Sequence, residues 1–380
     1  MRVLTNPFLL LFIIATAHFV NDWYSLLIAP AIPVLKKAYQ INYFQSGMLL
    51  SVPYLLSALL QAPIAHLSET YAKRKTALIF GFLALSTGYL TFYLTNSYYA
   101  ALLATVLIGI GLGTYHPQGM GILSGVFKEK KGMAIGLNGI GGALGYFFAP
   151  ISMGFLLEYF GLKAFLIVAM PGLIMAFIIF SVIKIEETPT KKPFKSTITK
   201  ELLLLGIVAI VIPFFSRGIS SFLPAYFYAH GSNILNANLK ASVMLLAGLI
   251  AQPLGGTISD IIGRRITISL SYFLMGVFLV LFLLKPSLVF LFFMGFFMSL
   301  SIPVRHAFAA EVGGEKVNSN IAVVFGMVMI GSSIAPSVIG ALVDSFGFKV
   351  AFGFNVAIAF TGSLLALTIK RKPSRSSAEN

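Results

Sequence analysis

A series of long apolar runs constrains this chain more than any other feature. Twelve can be counted by their interruptions, near residues 8–33, 44–66, 76–95, 98–126, 132–158, 162–184, 202–229, 238–261, 266–284, 287–310, 317–344 and 348–369. Each comes near the ~20 residues that an α-helix needs to cross a bilayer. Inside hydrocarbon every backbone N–H and C=O must be paired within the chain, so runs of this length read as helices. The expected fold class is an all-α polytopic membrane protein. Composition agrees. The 380 residues are 58% hydrophobic and 10% charged, against about 25% charged in soluble domains, and the mean hydropathy is +0.91.

The charge sits where a membrane protein needs it. A net charge of +15 and a pI near 9.8 raise a nucleic-acid reading, but the basic residues lie in short loops between apolar runs. With the N-terminus placed inside, only Lys36, Lys37, Lys163, Lys240, Lys285 and Lys349 fall in outward loops, and Arg217 and Arg305 fall within spans. The remaining nineteen of the 27 Lys and Arg lie on the inner side. This asymmetry predicts a multi-pass protein of the plasma (cell inner) membrane with both termini cytoplasmic, in contact with lipid and not with nucleic acid. There is no cysteine, so disulfides, thiolate metal sites and thiol chemistry are excluded. The first span carries polar residues and no cleavage signal, so it reads as retained and not as a signal peptide. No cofactor or metal is read from the sequence, and a monomer is expected.

The chain reads as two repeats. At an offset of 186, Gly109 matches Gly295, Pro117 matches Pro303, Gly145 matches Gly331, and Ala149-Pro150 matches Ala335-Pro336. Gly154 matches Gly340, Glu158 matches Asp344, Phe160-Gly161 matches Phe346-Gly347, and Lys163 matches Lys349. Special residues recurring at one spacing indicate an internal duplication. The expected organisation is an N-terminal six-helix bundle over 1–185, a cytoplasmic linker over 186–200, a C-terminal six-helix bundle over 201–370 and a disordered cytoplasmic tail over 371–380.

Polar residues inside the spans mark the candidate site. His18 and Asp22 are four apart on one face of the first span, with Asn21 and Ser25 beside them. Ionisable groups at membrane depth are costly and usually face a protein interior or a water-filled cavity. The fourth span has Gly109, Gly111 and Gly113, then Tyr115-His116-Pro117-Gln118, where the proline kinks the helix beside His116. Arg217 lies in the seventh span, and Arg305 and His306 in the tenth. The halves differ here. Aligning Pro30 with Pro224 sets Ser216 opposite Asp22 and Arg217 beside it. Gly139, Gly141, Gly142, Gly145 and Pro150 in the fifth span read as close helix packing and not as a dinucleotide loop, because no strand precedes them. Tyr24, Tyr54 and Phe215 read as core.

The loop between the eighth and ninth spans carries Gly256, Asp260, Gly263, Arg264 and Arg265 in the pattern G-x-x-x-D-x-x-G-R-R. A degraded copy between the second and third spans has Ala65, Glu69, Ala72, Lys73 and Arg74. This pattern resembles the signature of the major facilitator superfamily, and with twelve spans in two halves the resemblance covers nearly the whole chain. The H-F-x-N-D of the first span, Leu60-Gln61-Ala62-Pro63 and the Tyr115-His116-Pro117 element resemble the fosmidomycin-resistance-type branch, with Gln118 where that branch has an acid. The resemblance implies two pseudo-symmetric six-helix bundles, with the first, fourth, seventh and tenth helices lining a central cavity. It also implies secondary transport of a small organic solute by alternating access. In that reading Asp22 couples transport to protons, His18 or His116 biases or relays the proton, and Asn21, Tyr115 and Gln118 contribute to the site. Arg217 and Arg305 bind an anionic group or neutralise Asp22. Gly256, Asp260, Gly263, Arg264, Arg265, Glu69 and Arg74 act in gating. Proton-coupled efflux of an anionic compound, uptake of a sugar or carboxylate with protons, and a transport-dead sensor are the readings left open. No G-x-x-x-x-G-K-[ST], H-E-x-x-H or G-x-S-x-G appears, so an enzyme is not expected.

Overall fold

A computed structural model describes residues 2–3, 5–189, 200–312 and 317–369. The side chains of 2, 3, 200–202, 306, 309–312 and 317–325 lie outside the description. His306, as a side chain, therefore lies outside the described residues, as do 190–199 of the expected linker and the expected tail over 371–380.

The chain runs through α1 (Pro7–Leu26), α2 (Ile28–Tyr39), α3 (Tyr43–Thr70), α4 (Arg74–Leu94), α5 (Tyr98–Val126), α6 (Lys131–Phe160) and α7 (Ala164–Val182). It continues through α8 (Lys200–Ser220), α9 (Leu223–Ala229), α10 (Ile234–Ile262), α11 (Arg264–Leu284), α12 (Leu288–Val312) and α13 (Val317–Thr368). Local chemistry sets the starts. Asn6 caps α1 by accepting from Phe8 and Leu9 N–H, with Pro7 as the first helical residue. Asn42 and Gln45 form a capping box at α3. Among the described residues ten helical stretches are long and apolar enough to cross a membrane, and two of these, Lys131–Val182 and Gly326–Thr368, are 52 and 43 residues long. A straight helix of 52 residues would run about 78 Å, far beyond one bilayer. Both are divided at a glycine with positive φ, Gly161 at 54° and Gly347 at 77°. Ten apolar stretches thus contain twelve crossing lengths, the number read from the sequence. The two interrupting glycines are a matched pair of the repeat.

Other matched pairs make matched contacts. A Cβ at Gly109 would strike Pro53 O and Leu56, joining α5 to α3, and one at Gly295 would overlap Met244 O, joining α12 to α10. A Cβ at Gly145 would overlap Phe19 O on α1, and one at Gly331 would meet Ile210 O and Pro213 on α8. Glu158 accepts from Leu235 N–H at 3.2 Å at the start of α10, and Asp344 accepts from Tyr43 and Phe44 N–H at 2.9 and 2.7 Å at the start of α3. Each matched acid thus neutralises the positive end of a helix from the other sequence half.

The described chain divides into two compact units. One is Met1–Pro193, Ser220–Ser242 and Pro336–Ser345; the other is Phe194–Ile219, Val243–Ala335 and Phe346–Asn380. The caps made by Glu158 and Asp344 lie within the first unit and show why pieces of α10 and α13 cluster there. Within this unit Arg2–Val3 pairs antiparallel with Ile185–Glu186, Arg2 opposite Glu186, the one two-residue ladder among the described residues. Large apolar side chains such as Phe12, Phe177 and Phe180 stand exposed while His18, Asn21, Asp22, Gln118 and Asn138 are buried. That distribution suits a lipid surround, where only the protein interior offers polar partners.

Candidate functional site

The polar cluster is built on α1 and α5 and closed by α6. His18 and Asp22 lie one turn apart on α1, with His18 Nε2 3.2 Å from Asp22 Oδ2. His116 on α5 brings its Nε2 to 3.6 Å from Asp22 Oδ1. Asp22 is 4% exposed, so this carboxylate stands between two imidazoles with almost no water. Asn21 Nδ2 donates to Asp22 Oδ1 at 2.9 Å and fixes the carboxylate plane. His18 Nδ1 donates to Asn138 O on α6 at 2.8 Å. The Tyr115 ring stacks on His18 with 4.8 Å between centroids, and the Tyr115 hydroxyl donates to Ile14 O at 2.8 Å beside Asn138 Oδ1. Glycine lets α6 approach this closely. A Cβ at Gly142 would stand 2.6 Å from both Asp22 Oδ2 and His18 Nε2, and one at Gly141 would overlap Ala15 O. The expected glycine packing of the fifth span thus has a chemical consequence, because it presses backbone onto the His18–Asp22 pair.

Of the residues expected to form the site, His18, Asn21, Asp22, Tyr115 and His116 come together. Gln118 does not join them. It is fully buried and accepts from Ser68 on α3 at 2.8 Å. Tyr24 donates to Val168 O and Tyr54 to Ser25 O, both as core tyrosines bonded to backbone. Arg305 and Arg217 belong to the second unit. Arg305 is 2% exposed and donates to Ala209 O at 2.9 Å, and its Nε has no partner among the described residues. Arg217 is half-buried in the last turn of α8. Asn138 was missed in the sequence, although an amide in a glycine-rich span carries the same signal as Asn21.

The two signature loops are built differently. In the second unit Arg264 pairs with Asp260 at 2.6 Å, bonds Ser259 and reaches Gly256 O, with Gly263 at φ 91° making the turn. Arg265 is exposed. In the first unit Ala72 makes the equivalent turn at φ 53° without a glycine. There Arg74 pairs with Glu69 at 2.9 Å and with Glu187 at 3.2 Å.

A sequence profile of the Major Facilitator Superfamily matches residues 11–226 and 205–380. The chain belongs to this superfamily. Among its relatives, the fosmidomycin resistance protein of Escherichia coli (strain K12) is 26% identical over 67% of this chain and 66% of its own length. The uncharacterized MFS-type transporter YfnC of Bacillus subtilis (strain 168) is 24% identical over 94% and 91%. A probable nitrate transporter NarT of Staphylococcus aureus (strain Newman) is 25% identical over 62% and 61%. The fold is shared with a solved bacterial homolog of the human lysosomal transporter Spinster, at a TM-score of 0.80 and 17% identity over 96% of this chain and 98% of that one. The chain is thus a multi-pass membrane transporter of this superfamily, with sequence similarity to the fosmidomycin resistance protein, and not an enzyme.

Proposed function

We propose that the chain exports a small anionic solute in exchange for protons, with Asp22 as the group that takes up and releases the proton. The observation that carries this reading is the buried Asp22 carboxylate held between His18 and His116 at 3.2 and 3.6 Å. Three exchangeable groups in contact, on two membrane helices, can pass one proton among themselves without leaving a bare charge in a low dielectric. The buried guanidinium of Arg305 supports an anionic solute: it bonds Ala209 O and interacts with the Tyr272 hydroxyl, and its Nε still has no partner among the described residues. Relatives named for fosmidomycin resistance and for nitrate make those two compounds the first probes. The basic loops favour the inner membrane with both termini cytoplasmic.

The test is transport in liposomes containing the full chain. Asp22→Asn is expected to abolish solute movement driven by a pH gradient while leaving solute exchange at equilibrium. Arg305→Gln is expected to raise the half-saturating solute concentration at least about tenfold, the loss of one charged hydrogen bond of about 1.5–3 kcal/mol. Proton-driven transport that survives Asp22→Asn unchanged removes the proposed role. The nitrate-transporter relative favours a second reading, uptake with protons. Growth of strains lacking or overproducing the protein, with and without fosmidomycin, separates the two directions.

A further inference from the structure

We infer that His18, Asp22 and His116 form a binding site for a divalent first-row transition-metal ion. The inference goes beyond the proton reading but rests on the same cluster as the functional site. Each residue offers one ligand atom, and the three atoms lie within 4.8 Å of one another. Each imidazole approaches a different oxygen of the carboxylate, His18 Nε2 at 3.2 Å from Asp22 Oδ2 and His116 Nε2 at 3.6 Å from Asp22 Oδ1, and each separation is close to the ~3.4 Å edge of a tetrahedron with metal–ligand bonds of about 2.1 Å. His116, with 30% of its side chain exposed, can rotate to close the third. The Gly142 backbone packs against the Asp22 Oδ2 and His18 Nε2 side of the cluster.

The surrounding shell orients the ligands for an ion. His18 spends its Nδ1–H on Asn138 O, the outer-shell bond that fixes the tautomer of a metal-binding imidazole. In the neutral ring the Nε2 lone pair then faces Asp22 Oδ2 at 3.2 Å, and two acceptors at that distance require a proton or a cation between them. The Asn21 amide holds the carboxylate by one bond. Its own Oδ1 is buried without a donor among the described residues, a neutral oxygen one residue from the proposed ligand. Stacking on Tyr115 holds the His18 ring plane. The ligands are thus oriented before anything binds. Two imidazoles and a carboxylate suit Zn²⁺, Co²⁺, Ni²⁺ or Fe²⁺ better than Mg²⁺ or Ca²⁺, which prefer all-oxygen sets, and the absence of cysteine argues against Cu⁺. Ion and proton use the same lone pairs, so each ion bound releases the proton carried by the cluster.

The experiment uses the purified full chain in detergent, with any affinity tag removed, and Co²⁺ alone as probe. The wild type is expected to bind one Co²⁺ per chain, with ligand-field absorption of low-symmetry His/carboxylate coordination. Zn²⁺ should displace the Co²⁺ and excess Mg²⁺ should not. His116→Ala should weaken binding at least about tenfold, and Asn21→Ala about tenfold through the lost outer-shell bond. His66→Ala with His230→Ala should leave binding unchanged. Gel filtration and a melting curve confirm that each variant is folded. Absence of the absorption in folded wild type overturns the site. So does a His18→Gln/His116→Gln double variant that is folded and binds as the wild type does. The two readings separate cleanly. Proton-driven transport in chelator-treated liposomes that is lost in Asp22→Asn, with no Co²⁺ binding, rejects the metal site alone. Co²⁺ binding with proton drive intact in Asp22→Asn rejects the proton role alone.

Discussion

The first helix of each half shows how duplication and function separate. Both are broken at corresponding places, α1 giving way to α2 after Leu26 and α8 to α9 after Ser220, with Pro30 and Pro224 each in the helix that follows. Both are gripped by a glycine of a later helix, Gly145 on Phe19 and Gly331 on Ile210 and Pro213. Yet α1 carries His18, Asn21 and Asp22 in one buried cluster, while α8 carries Ser216 and Arg217 and lends Ala209 O to the buried Arg305 of α12. The scaffold needs small residues and caps at fixed places, so both copies keep them. In the proposed function the chemistry uses one acid cluster and one cationic element, and the copies differ there.

Substitutions at matched positions test the comparison. The largest effect is expected at the glycine grips. Gly145→Leu should destabilise the protein by about 3 kcal/mol and Gly331→Leu by about 2, the overpacking range, read as thermal unfolding of the full chain in detergent. A neutral Gly331→Leu would break the claim of a shared scaffold. Next come the loop arginines. Arg74→Gln leaves Glu187, 4% exposed as a side chain, with the Lys75 N–H at 3.3 Å but without its cationic partner, and should cost about 2 kcal/mol. Arg264→Gln should cost less than about 0.5, because its partner Asp260 is 64% exposed. Equal losses would mean that the two loops do the same mechanical work.

A smaller effect is expected at the loop turns. Ala72→Gly relieves a positive-φ backbone and should stabilise by about 1 kcal/mol, while Gly263→Ala, at φ 91° and ψ 145° where alanine is strained, should destabilise by about 1–2 kcal/mol. The smallest concerns the helix caps. Asp344→Ala, which loses two N–H bonds, should cost about 1 kcal/mol, and Glu158→Ala, which loses one, about 0.5. The reverse order would show that the matched acids are not equivalent caps.

Much of this was legible in the residues. Phe160-Gly161 and Phe346-Gly347, read as a matched pair and as interruptions between spans, are the two places where a long helical stretch is broken at a glycine with positive φ. Glu158 and Asp344, matched only as acids, both neutralise helix ends. His18 and Asp22 were readable as a pair because four residues make one turn. Other features were not legible. Gln118 was grouped with His116 because they are close in sequence, but two residues along a helix is about 200° around it, and Gln118 meets Ser68 instead. Asn138 and Gly142 complete the cluster from a helix more than a hundred residues away. Ala72 takes the turn expected of glycine because the packed ends of α3 and α4 hold it there. Glu187, in the stretch read as linker, is bound to Arg74.

The sequence by itself determined the membrane class, the number of crossings, the duplication and the family, because hydrophobic length and residue spacing are properties of the chain. Only the tertiary structure decided which polar residues meet. His18 finds Asn138, and Asp22 finds His116, through the rotation of one helix against another, which depends on packing summed over many side chains and has no local signature.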